Sequence, residues 1–300
     1  MKLSVVVPCY NEEKSVDEFY DSLTSDIKKE KITHEIIFIN DGSTDDTSLK
    51  IKELNKKDKN VKLVSFSRNF GKEAAMLAGL ESASGDYITI MDADLQHSPK
   101  VMIEMYNKLI EDPNYDCVCA YKSDRNDESA LKRTLTAIFY RFNNMISDAR
   151  LLPGASDFRV FKKCVKDAII SLPEKTRFLK GIFSWIGFNT IYIPYKPEER
   201  VYGRTKWSLI KLLRYSIGGI ISFSTKPLKI ISVISLIIFI IGILNFVFIG
   251  NLSFRTIILL ISLMVFILGV ISLYISRIYS NILGRPVYII KEKIGFDNKK

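Results

Sequence analysis

The sequence contains few cysteines, and they do not form a recognisable redox or zinc motif. There are four in 300 residues, and their spacing matches neither a zinc site nor a C-x-x-C pair. Two of them lie in a strand-like run, Tyr115–Tyr121, where both side chains would face the core. We therefore predict buried free thiols in a reducing compartment. The four residues are Cys9, Cys117, Cys119 and Cys164.

Signals for nucleic-acid binding and for secretion are also missing. The net charge is +10, from 43 basic and 33 acidic residues, yet the chain has no Lys/Arg-rich arm and no nucleic-acid module. The basic residues are spread through the middle of the chain and beside its apolar segments, which favours a membrane surface and phosphorylated ligands. The sequence starts with an apolar strand and not with a charged-then-apolar leader, so no secretory signal is expected.

Long apolar runs are present, and they account for a hydrophobic content of 47%, which is high for a soluble protein. The excess lies in residues 228–279. It forms two runs, Leu228–Ile249 and Thr256–Ile275, each about 20 residues long and thus able to cross a hydrocarbon core of ~30 Å. The short connection Gly250–Arg255 predicts a transmembrane hairpin of two helices.

The charges around these runs predict the orientation of the hairpin. An amphipathic stretch, residues 206–227, precedes it and is typical of a helix in the membrane interface. Positive residues are concentrated outside the hairpin, whereas its connecting loop has only Arg255. By the positive-inside rule, residues 1–205 and the tail, residues 280–300, are both cytoplasmic. We predict an integral protein of the cytoplasmic membrane.

Strand and helix patterns alternate along the first 120 residues, which predicts an α/β domain with a mostly parallel sheet. Ligands of such sheets bind beyond the carboxyl ends of the strands. Residues 151–200 show only a mixture of short elements. The predicted strands are Leu3–Val7, Glu35–Asn40, Val61–Ser65, Tyr87–Met91 and Cys117–Tyr121, and the predicted helices are Glu12–Ile27, Thr47–Asn55, Gly71–Ser82 and Pro99–Glu111.

A pair of carboxylates, Asp92 and Asp94, follows the fourth predicted strand. Strand alternation would place both on one face. Neighbouring carboxylates repel each other unless a cation lies between them, and Mg²⁺ or Mn²⁺ binds such oxygens while keeping positions for substrate phosphates. The pair therefore indicates a site for a metal-bound diphosphate, although most isolated pairs of this kind are solvated turn residues.

Several motifs, in this order, resemble those of known glycosyltransferases. Val5–Glu13, Asn40–Asp45 and Asp92–Gln96 resemble the nucleotide-binding motifs of family 2 glycosyltransferases of GT-A fold. Four further features and the two apolar runs resemble the polyprenyl-phosphate glycosyltransferases, which include bactoprenol glucosyltransferases and dolichol-phosphate mannose synthases. These features are Ser67–Lys72, Asp157–Arg159, Arg177–Gly181 and Arg200–Lys206. The resemblance covers nearly the whole chain and implies a GT-A (Rossmann-like) domain followed by interface helices and two transmembrane helices.

The resemblance implies transfer of one sugar from a nucleotide donor to a polyprenyl phosphate, with Mg²⁺ or Mn²⁺ as cofactor and inversion at the anomeric carbon. UDP-glucose and UDP-N-acetylglucosamine are the favoured donors, ahead of GDP-mannose. Undecaprenyl phosphate is the expected acceptor if the source is bacterial, the product serves cell-envelope glycosylation, and homo-oligomers are compatible with the family. No nucleic-acid partner is expected.

The resemblance also assigns site residues. The implied nucleotide-sugar contacts are Pro8, Tyr10, Asn11, Glu12, Asp41, Lys72 and Asp92. The implied metal ligands are Asp92, Asp94 and Gln96, and the implied catalytic carboxylate is Asp157. The implied contacts of the acceptor phosphate are Arg125, Arg133, Arg200, Thr205 and Lys206. Thr205 replaces the usual serine, and His97, where the family often has an acidic residue, is not assigned to the metal.

Other functions remain as alternatives. A processive polysaccharide synthase shares the fold, but it normally has a Q-x-x-R-W segment and more membrane spans, whereas this chain has Arg177–Trp185 in that place. A non-catalytic lipid-binding or flippase-accessory protein would leave the carboxylates unexplained. A nucleotidyltransferase would need a glycine-rich phosphate loop, which is absent.

Overall fold

The computed structural model describes residues 1–122, 154–175, 177–196, 221–248 and 254–296. It also describes the short stretches 140–141, 143–145 and 218–219 and the single residues 147, 149 and 152. Most of the predicted interface segment, residues 206–227, and most of the predicted hairpin connection lie outside the described residues.

The described elements extend the predicted α/β alternation. The strands are β1 (Lys2–Cys9), β2 (Thr33–Asn40), β3 (Val61–Phe66), β4 (Tyr87–Ile90), β5 (Cys117–Lys122), β6 (Ala155–Lys162), β7 (Thr190–Tyr195) and β8 (Ile290–Ile294). The helices are α1 (Val16–Lys29), α2 (Thr47–Lys57), α3 (Lys72–Ser82), α4 (Pro99–Glu111), α5 (Lys163–Ser171), α6 (Leu179–Trp185), α7 (Lys226–Phe248) and α8 (Phe254–Ile282).

The strands form one mixed sheet in the order β7-β5-β6-β4-β1-β2-β3-β8. Its centre, β4-β1-β2-β3, is parallel as predicted. The outer part is mixed: β6 runs antiparallel to both β4 and β5, and β8 runs antiparallel to β3, whereas β7 runs parallel to β5. The predicted α/β class is therefore confirmed, and four of the seven strand pairs that the structure describes are parallel, so the sheet is mixed with a parallel majority.

The central strands are buried on both faces, which explains their continuous apolar sequence. In β1, Val5 and Val7 pack with α1 and α4, whereas Val6 packs with α3 on the other face. Helix α3 lies so close to β1 that a Cβ at Gly79 would be 2.1 Å from Cγ1 of Val6. Only glycine fits there.

Three of the four cysteines are buried free thiols, as predicted, and one is not. Helix α5 directs Val165 and Ile169, which are four residues apart, toward the core. Cys164, which precedes Val165, therefore lies on the solvent side and is exposed. The buried thiols are Cys9, Cys117 and Cys119.

The tail after α8 returns to the sheet, which the sequence analysis did not predict. Strand β8 pairs antiparallel with β3, with Leu63 opposite Ile294. Next to it, the Tyr288 ring is stacked on Phe66 with 4.8 Å between the ring centroids. The chain that leaves the domain toward α7 therefore comes back to the same sheet after α8.

One described segment is long and apolar enough to cross a membrane. It is Leu260–Ile282 in α8, and none of its most apolar window is buried. Helix α7 covers most of the other predicted run, Leu228–Ile249. The hairpin of two transmembrane helices stays a prediction.

A buried carboxylate, Glu35, lies near the amino ends of the central strands, with its side chain 1% exposed. It accepts hydrogen bonds from Lys62 Nζ at 2.8 Å, Lys2 Nζ at 2.9 Å, Ser4 Oγ at 2.5 Å and Ser84 N at 2.8 Å. Burial alone would raise its pKa, but these donors outweigh burial and lower the pKa from 4.5 to about 2.

We expect Glu35→Gln to lower the free energy of unfolding by about 3 kcal/mol at neutral pH. The folded-state pKa lies below the unfolded value, so this stabilisation is complete above pH 4.5 and is lost as the pH falls toward 2. Thermal unfolding in detergent, at pH 7 and at successive values below 4.5, should show the difference in stability between the wild-type protein and Glu35→Gln shrinking as the pH falls. The exposed Glu30→Gln is the control, and a gap of constant size at every pH would contradict the prediction.

Candidate active site

The loops that follow β1 and β2 are joined by hydrogen bonds at the carboxyl edge of the sheet. Asn11 N donates to Ser43 Oγ at 3.0 Å, and Glu12 N donates to Thr47 Oγ1 at 2.8 Å. Asn11 has a left-handed backbone, with φ of 55°. Helix α1 begins at Val16 and not at the predicted Glu12.

Asp41 ties the loop after β3 to the loop after β2. Its carboxylate accepts hydrogen bonds from Phe70 N at 2.6 Å and Gly71 N at 2.9 Å. Burial raises its pKa despite these bonds. The two loops touch directly: Gly42 has φ of +65°, and a Cβ there would lie 2.3 Å from the carbonyl carbon of Arg68. Asp41 therefore sets the shape of residues 67–71, which we call the β3–α3 loop.

The C-terminal tail supports the β3–α3 loop from its other side. Ser67 N donates to the carbonyl of Ile289 at 3.0 Å. The Phe66 ring lies between Tyr288, stacked at 4.8 Å, and Phe70, edge-on at 5.8 Å between centroids. This loop is thus held by Asp41 within the domain and by the segment that follows α8.

The predicted catalytic carboxylate is brought beside the carboxylate pair by β6. Ile90 of β4 pairs with Arg159 of the antiparallel β6. Asp92 follows Ile90 by two residues and Asp157 precedes Arg159 by two, so the antiparallel register brings the two aspartates together. Lys72, the first residue of α3, lies between them. Its Nζ is 2.6 Å from Asp92 Oδ1 and 3.8 Å from Asp157 Oδ2.

The charges of this group, Lys72, Asp92 and Asp157, stabilise one another. For Lys72, burial works against the charge, but Asp92 and Asp157 outweigh it and raise the pKa. For Asp92, burial is again outweighed, chiefly by Lys72, and the pKa falls to about 2. The pKa of Asp157 is lowered despite burial by Lys180 and then by Lys72. All three groups are therefore charged at neutral pH. Lys180 lies within the Arg177–Gly181 feature, but the sequence analysis assigned it no role.

Asp92 and Asp94 lie in a turn and not on a strand, because β4 ends at Ile90. Strand alternation therefore does not apply to them, and in the turn Ala93 is buried whereas both aspartates are half-buried. The turn is tightened at Leu95, whose φ is 63°, and Asp94 Oδ1 accepts a hydrogen bond from Gln96 N at 3.2 Å. A positive φ is uncommon for a bulky residue such as leucine.

His97 supports this turn from beneath. Its Nδ1 lies 3.2 Å from Asp92 N, which donates to it, and its ring is stacked on Phe158 at 4.4 Å between centroids. Burial lowers the pKa of His97, which favours the neutral ring that this hydrogen bond requires. His97 thus connects the carboxylate turn to the strand that carries Asp157.

The metal-ligating side chains at this edge can hold a Mg²⁺ or Mn²⁺ ion only together with oxygen atoms from the substrate. In the part of the chain that the structure describes, no three His, Cys, Asp or Glu side chains are grouped so that they could hold a metal. Asp92 and Asp94 provide carboxylate oxygens at an open edge, and such ions commonly bind one or two carboxylates, several waters and substrate phosphates. The residues present fit that arrangement.

Most of the predicted site residues that the structure describes lie at this one edge. Tyr10 is 38% exposed beside the first loop, and Pro8 pairs with Ile39 near the end of β1. The others at this edge are Asn11, Glu12, Asp41, Lys72, Asp92, Asp94, Gln96 and Asp157. The predicted acceptor contacts lie outside the described residues, namely Arg125, Arg133, Arg200, Thr205 and Lys206.

Comparison with known proteins shows similarity along the whole chain. The family described as Glycosyl transferase family 2 matches residues 4–164. The chain is 38% identical over 304 residues to the prophage bactoprenol glucosyl transferase homolog of Escherichia coli, covering 97% of this chain and 99% of that protein. It is 38% identical over 303 residues to the putative glycosyltransferase CsbB of Bacillus subtilis, covering 97% and 91% of the two chains.

Among solved structures, the fold is similar to that of glucosyl-3-phosphoglycerate synthase from Mycobacterium tuberculosis, crystallised with Mn²⁺, UDP and glucosyl-3-phosphoglycerate. The TM-score is 0.51 at 20% identity, and the match covers 73% of this chain and 77% of that one. At this identity the likeness concerns the fold alone, and it indicates a mixed α/β sheet of GT-A type.

We expect Gly42→Ala to weaken the binding of UDP with Mn²⁺ more than tenfold, because the new Cβ would displace the β3–α3 loop. Gly187→Ala is the matched control: Gly187 also has positive φ, at +73°, but a Cβ there meets nothing within 4 Å. Both variants bear a similar backbone strain. Calorimetric titration should show a loss of affinity in Gly42→Ala alone, and an equal loss in both would contradict the prediction.

Proposed function

Because the chain belongs to glycosyl transferase family 2, we propose that it transfers one sugar from a nucleotide donor to the phosphate of a polyprenyl lipid. The observation that carries this proposal is the group formed by Lys72, Asp92 and Asp157 at the carboxyl edge of the sheet. This edge is where α/β sheets bind their ligands. The full-length similarity to a bactoprenol glucosyl transferase homolog supports the lipid acceptor.

The donor site is formed by the three joined loops. We propose that Pro8, Tyr10, Asn11, Glu12 and Asp41 shape or contact the nucleotide. UDP-glucose and UDP-N-acetylglucosamine remain the favoured donors, and the name of the Escherichia coli relative supports a glucosyl donor.

Asp92 and Asp94, with Gln96 beside them, would hold a Mg²⁺ or Mn²⁺ ion. When bound, this ion would neutralise the charge that develops on the departing diphosphate. The Mn²⁺ in the fold neighbour is consistent with this assignment. Lys72 adds a fixed positive charge at the same place, since its raised pKa keeps it protonated through the physiological range.

The acceptor needs little activation. A phosphate monoester with a second pKa near 6 is already ionised at pH 7, so catalysis depends on placing its oxygen in line behind the anomeric carbon. Direct displacement from that side inverts the anomeric centre. The lowered pKa of Asp157 makes it a weak base, so we propose that it orients the acceptor or a sugar hydroxyl. Arg125, Arg133, Arg200, Thr205 and Lys206 are proposed to bind the acceptor phosphate.

The return of β8 to the sheet supports two membrane crossings. If Leu260–Ile282 crosses the membrane, a second crossing must lie between β7 and α8, because β8 pairs with β3 of the same domain. Helix α7 is the described segment with suitable length. We therefore propose a cytoplasmic domain, residues 1–205, an interface segment, residues 206–227, a hairpin, residues 228–279, and a cytoplasmic tail, residues 280–300.

A donor screen tests the proposed reaction. We expect the purified protein in detergent, given undecaprenyl phosphate and Mg²⁺ or Mn²⁺, to transfer label from one radiolabelled nucleotide sugar into the organic phase. Asp94→Ala should reduce the rate at least a hundredfold because the diphosphate loses its charge partner, and EDTA should abolish transfer.

Asp21→Ala, an exposed position on α1, is the matched control and should retain full activity. If no donor labels the lipid although UDP binds, the lipid acceptor is wrong. If Asp94→Ala keeps full activity, Asp94 is not a metal ligand.

Cysteine labelling tests the proposed topology. We expect Asn251→Cys, in the connection between α7 and α8 and in a Cys164→Ser background, to react with a membrane-impermeant maleimide in intact cells. The native Cys164, exposed on the catalytic domain, should react only after permeabilisation. Labelling of both positions only after permeabilisation would contradict the hairpin.

A further inference from the structure

Helix α6 is tied at its first turn to the group formed by Lys72, Asp92 and Asp157. The amide of Leu179 donates to Glu73 Oε2 at 3.0 Å. Glu73 is next to Lys72 in the first turn of α3, and Lys72 is the residue that contacts both carboxylates. A negative side chain at the amino end of a helix is also a favourable partner for its dipole. The first turn of α6 is therefore fixed beside the site.

The other side of α6 is packed equally closely. The Phe183 ring lies 3.9 Å from the guanidinium of Arg159 and 5.0 Å, between centroids, from Phe161 of the same strand. A Cβ at Gly181 would lie 2.4 Å from the Phe223 ring. Phe223 comes three residues before α7, so α6 lies between β6, which carries Asp157, and the segment that enters the first apolar helix.

Lys180 lies in this fixed first turn and is half-buried. Among the positive side chains, Lys180 lowers the pKa of Asp157 most, and it also lowers the pKa of Asp92. Lys72 is already engaged with Asp92 at 2.6 Å, whereas Lys180 has no carboxylate oxygen within 4 Å among the residues that the structure describes. A cation placed near the reaction site but without a close ion pair has donors for an incoming anion.

We propose that Lys180 Nζ binds the phosphate of the lipid acceptor beside Asp157. This inference rests on the proposed function. Two phosphates could in principle reach this position, namely the acceptor monoester and the donor diphosphate. The proposed metal ligands Asp92 and Asp94 account for the diphosphate, whereas α6 is packed against Phe223, which leads into the apolar helix α7, and this favours the lipid-linked acceptor.

Lys180 is needed as a charge and not as a proton donor. In the transfer, an acceptor phosphate oxygen forms a bond to the anomeric carbon, and the bond from that carbon to the diphosphate oxygen breaks. The bonding electron pair leaves with the diphosphate. The ionised acceptor has no proton to give, so the ammonium of Lys180 only holds the nucleophile in line and screens its charge from Asp157.

The test compares Lys180→Gln with Lys180→Arg. We expect Lys180→Gln to raise the KM for undecaprenyl phosphate at least tenfold, and Lys180→Arg to restore it to within threefold of wild type. The Kd for UDP with Mn²⁺, measured by calorimetry, should stay within twofold in both variants. Lys163→Gln, an exposed lysine on α5, is the control for the loss of one positive charge.

The outcomes separate this inference from the proposed function. If the wild-type protein transfers no sugar to the lipid, the proposed function fails. If it does and Lys180→Gln leaves the acceptor KM unchanged, the assignment of Lys180 is overturned. A weakened UDP affinity that accounts for the whole effect would place Lys180 on the donor diphosphate and would likewise overturn the assignment to the acceptor.

Discussion

A lysine between two carboxylates is the interaction on which the rest of the site depends. Asp92 follows β4 and Asp157 lies in β6, which is far from β4 in the sequence. Their charges would repel each other if Lys72 Nζ did not contact both, at 2.6 Å and 3.8 Å. This contact requires α3 to begin at the carboxyl edge and β6 to lie next to β4 in antiparallel register. The ammonium group of Lys72 thus links the start of α3 to the turn after β4 and to β6. For this reason Asp157 belongs to the same site as the carboxylate turn.

The first half of the fold could be predicted from the sequence because its signals are local. Strands such as β1 are apolar on both faces, and the helices between them show helical periodicity, so β1 to β5 and α1 to α4 were predicted with small errors at their ends. Strands β6, β7 and β8 were missed for different reasons. The place of β6 between β4 and β5 is decided by pairing with distant residues. Strand β8, Ile290–Ile294, has three charged residues out of five and extends only because the free edge of β3 receives it.

In the candidate site, too, some residues have a local sequence signal and others acquire a role only through distant contacts. Asp41, Asp92, Asp94 and Asp157 stand out as polar residues that follow buried strands or match a motif. Glu73 has no such signal, and Lys180 lies in the Arg177–Gly181 feature without an assigned role, because a lysine or a glutamate in a helix is ordinarily a solvated charge. They acquire a role only when α6 packs against α3 and β6, through the Leu179–Glu73 hydrogen bond and the Arg159–Phe183 contact. Gly42 is similar: its sequence context indicates a turn, but not that the turn lies against Arg68.

The apolar helices meet the site from both of their ends. Before α7, Phe223 packs against α6, next to the side of the site that carries Asp157. After α8, Tyr288 and Ile289 hold Phe66 and Ser67 at the start of the β3–α3 loop, on the side of Asp41. The two ends are also close to each other, since the Tyr274 hydroxyl of α8 donates to the carbonyl of Ser224 at 2.9 Å. On the proposed assignments, the apolar helices would thus be coupled to the acceptor side of the site through α6 and to the donor side through the β3–α3 loop, so both substrates of the in-line displacement would be positioned by elements that contact the ends of these helices.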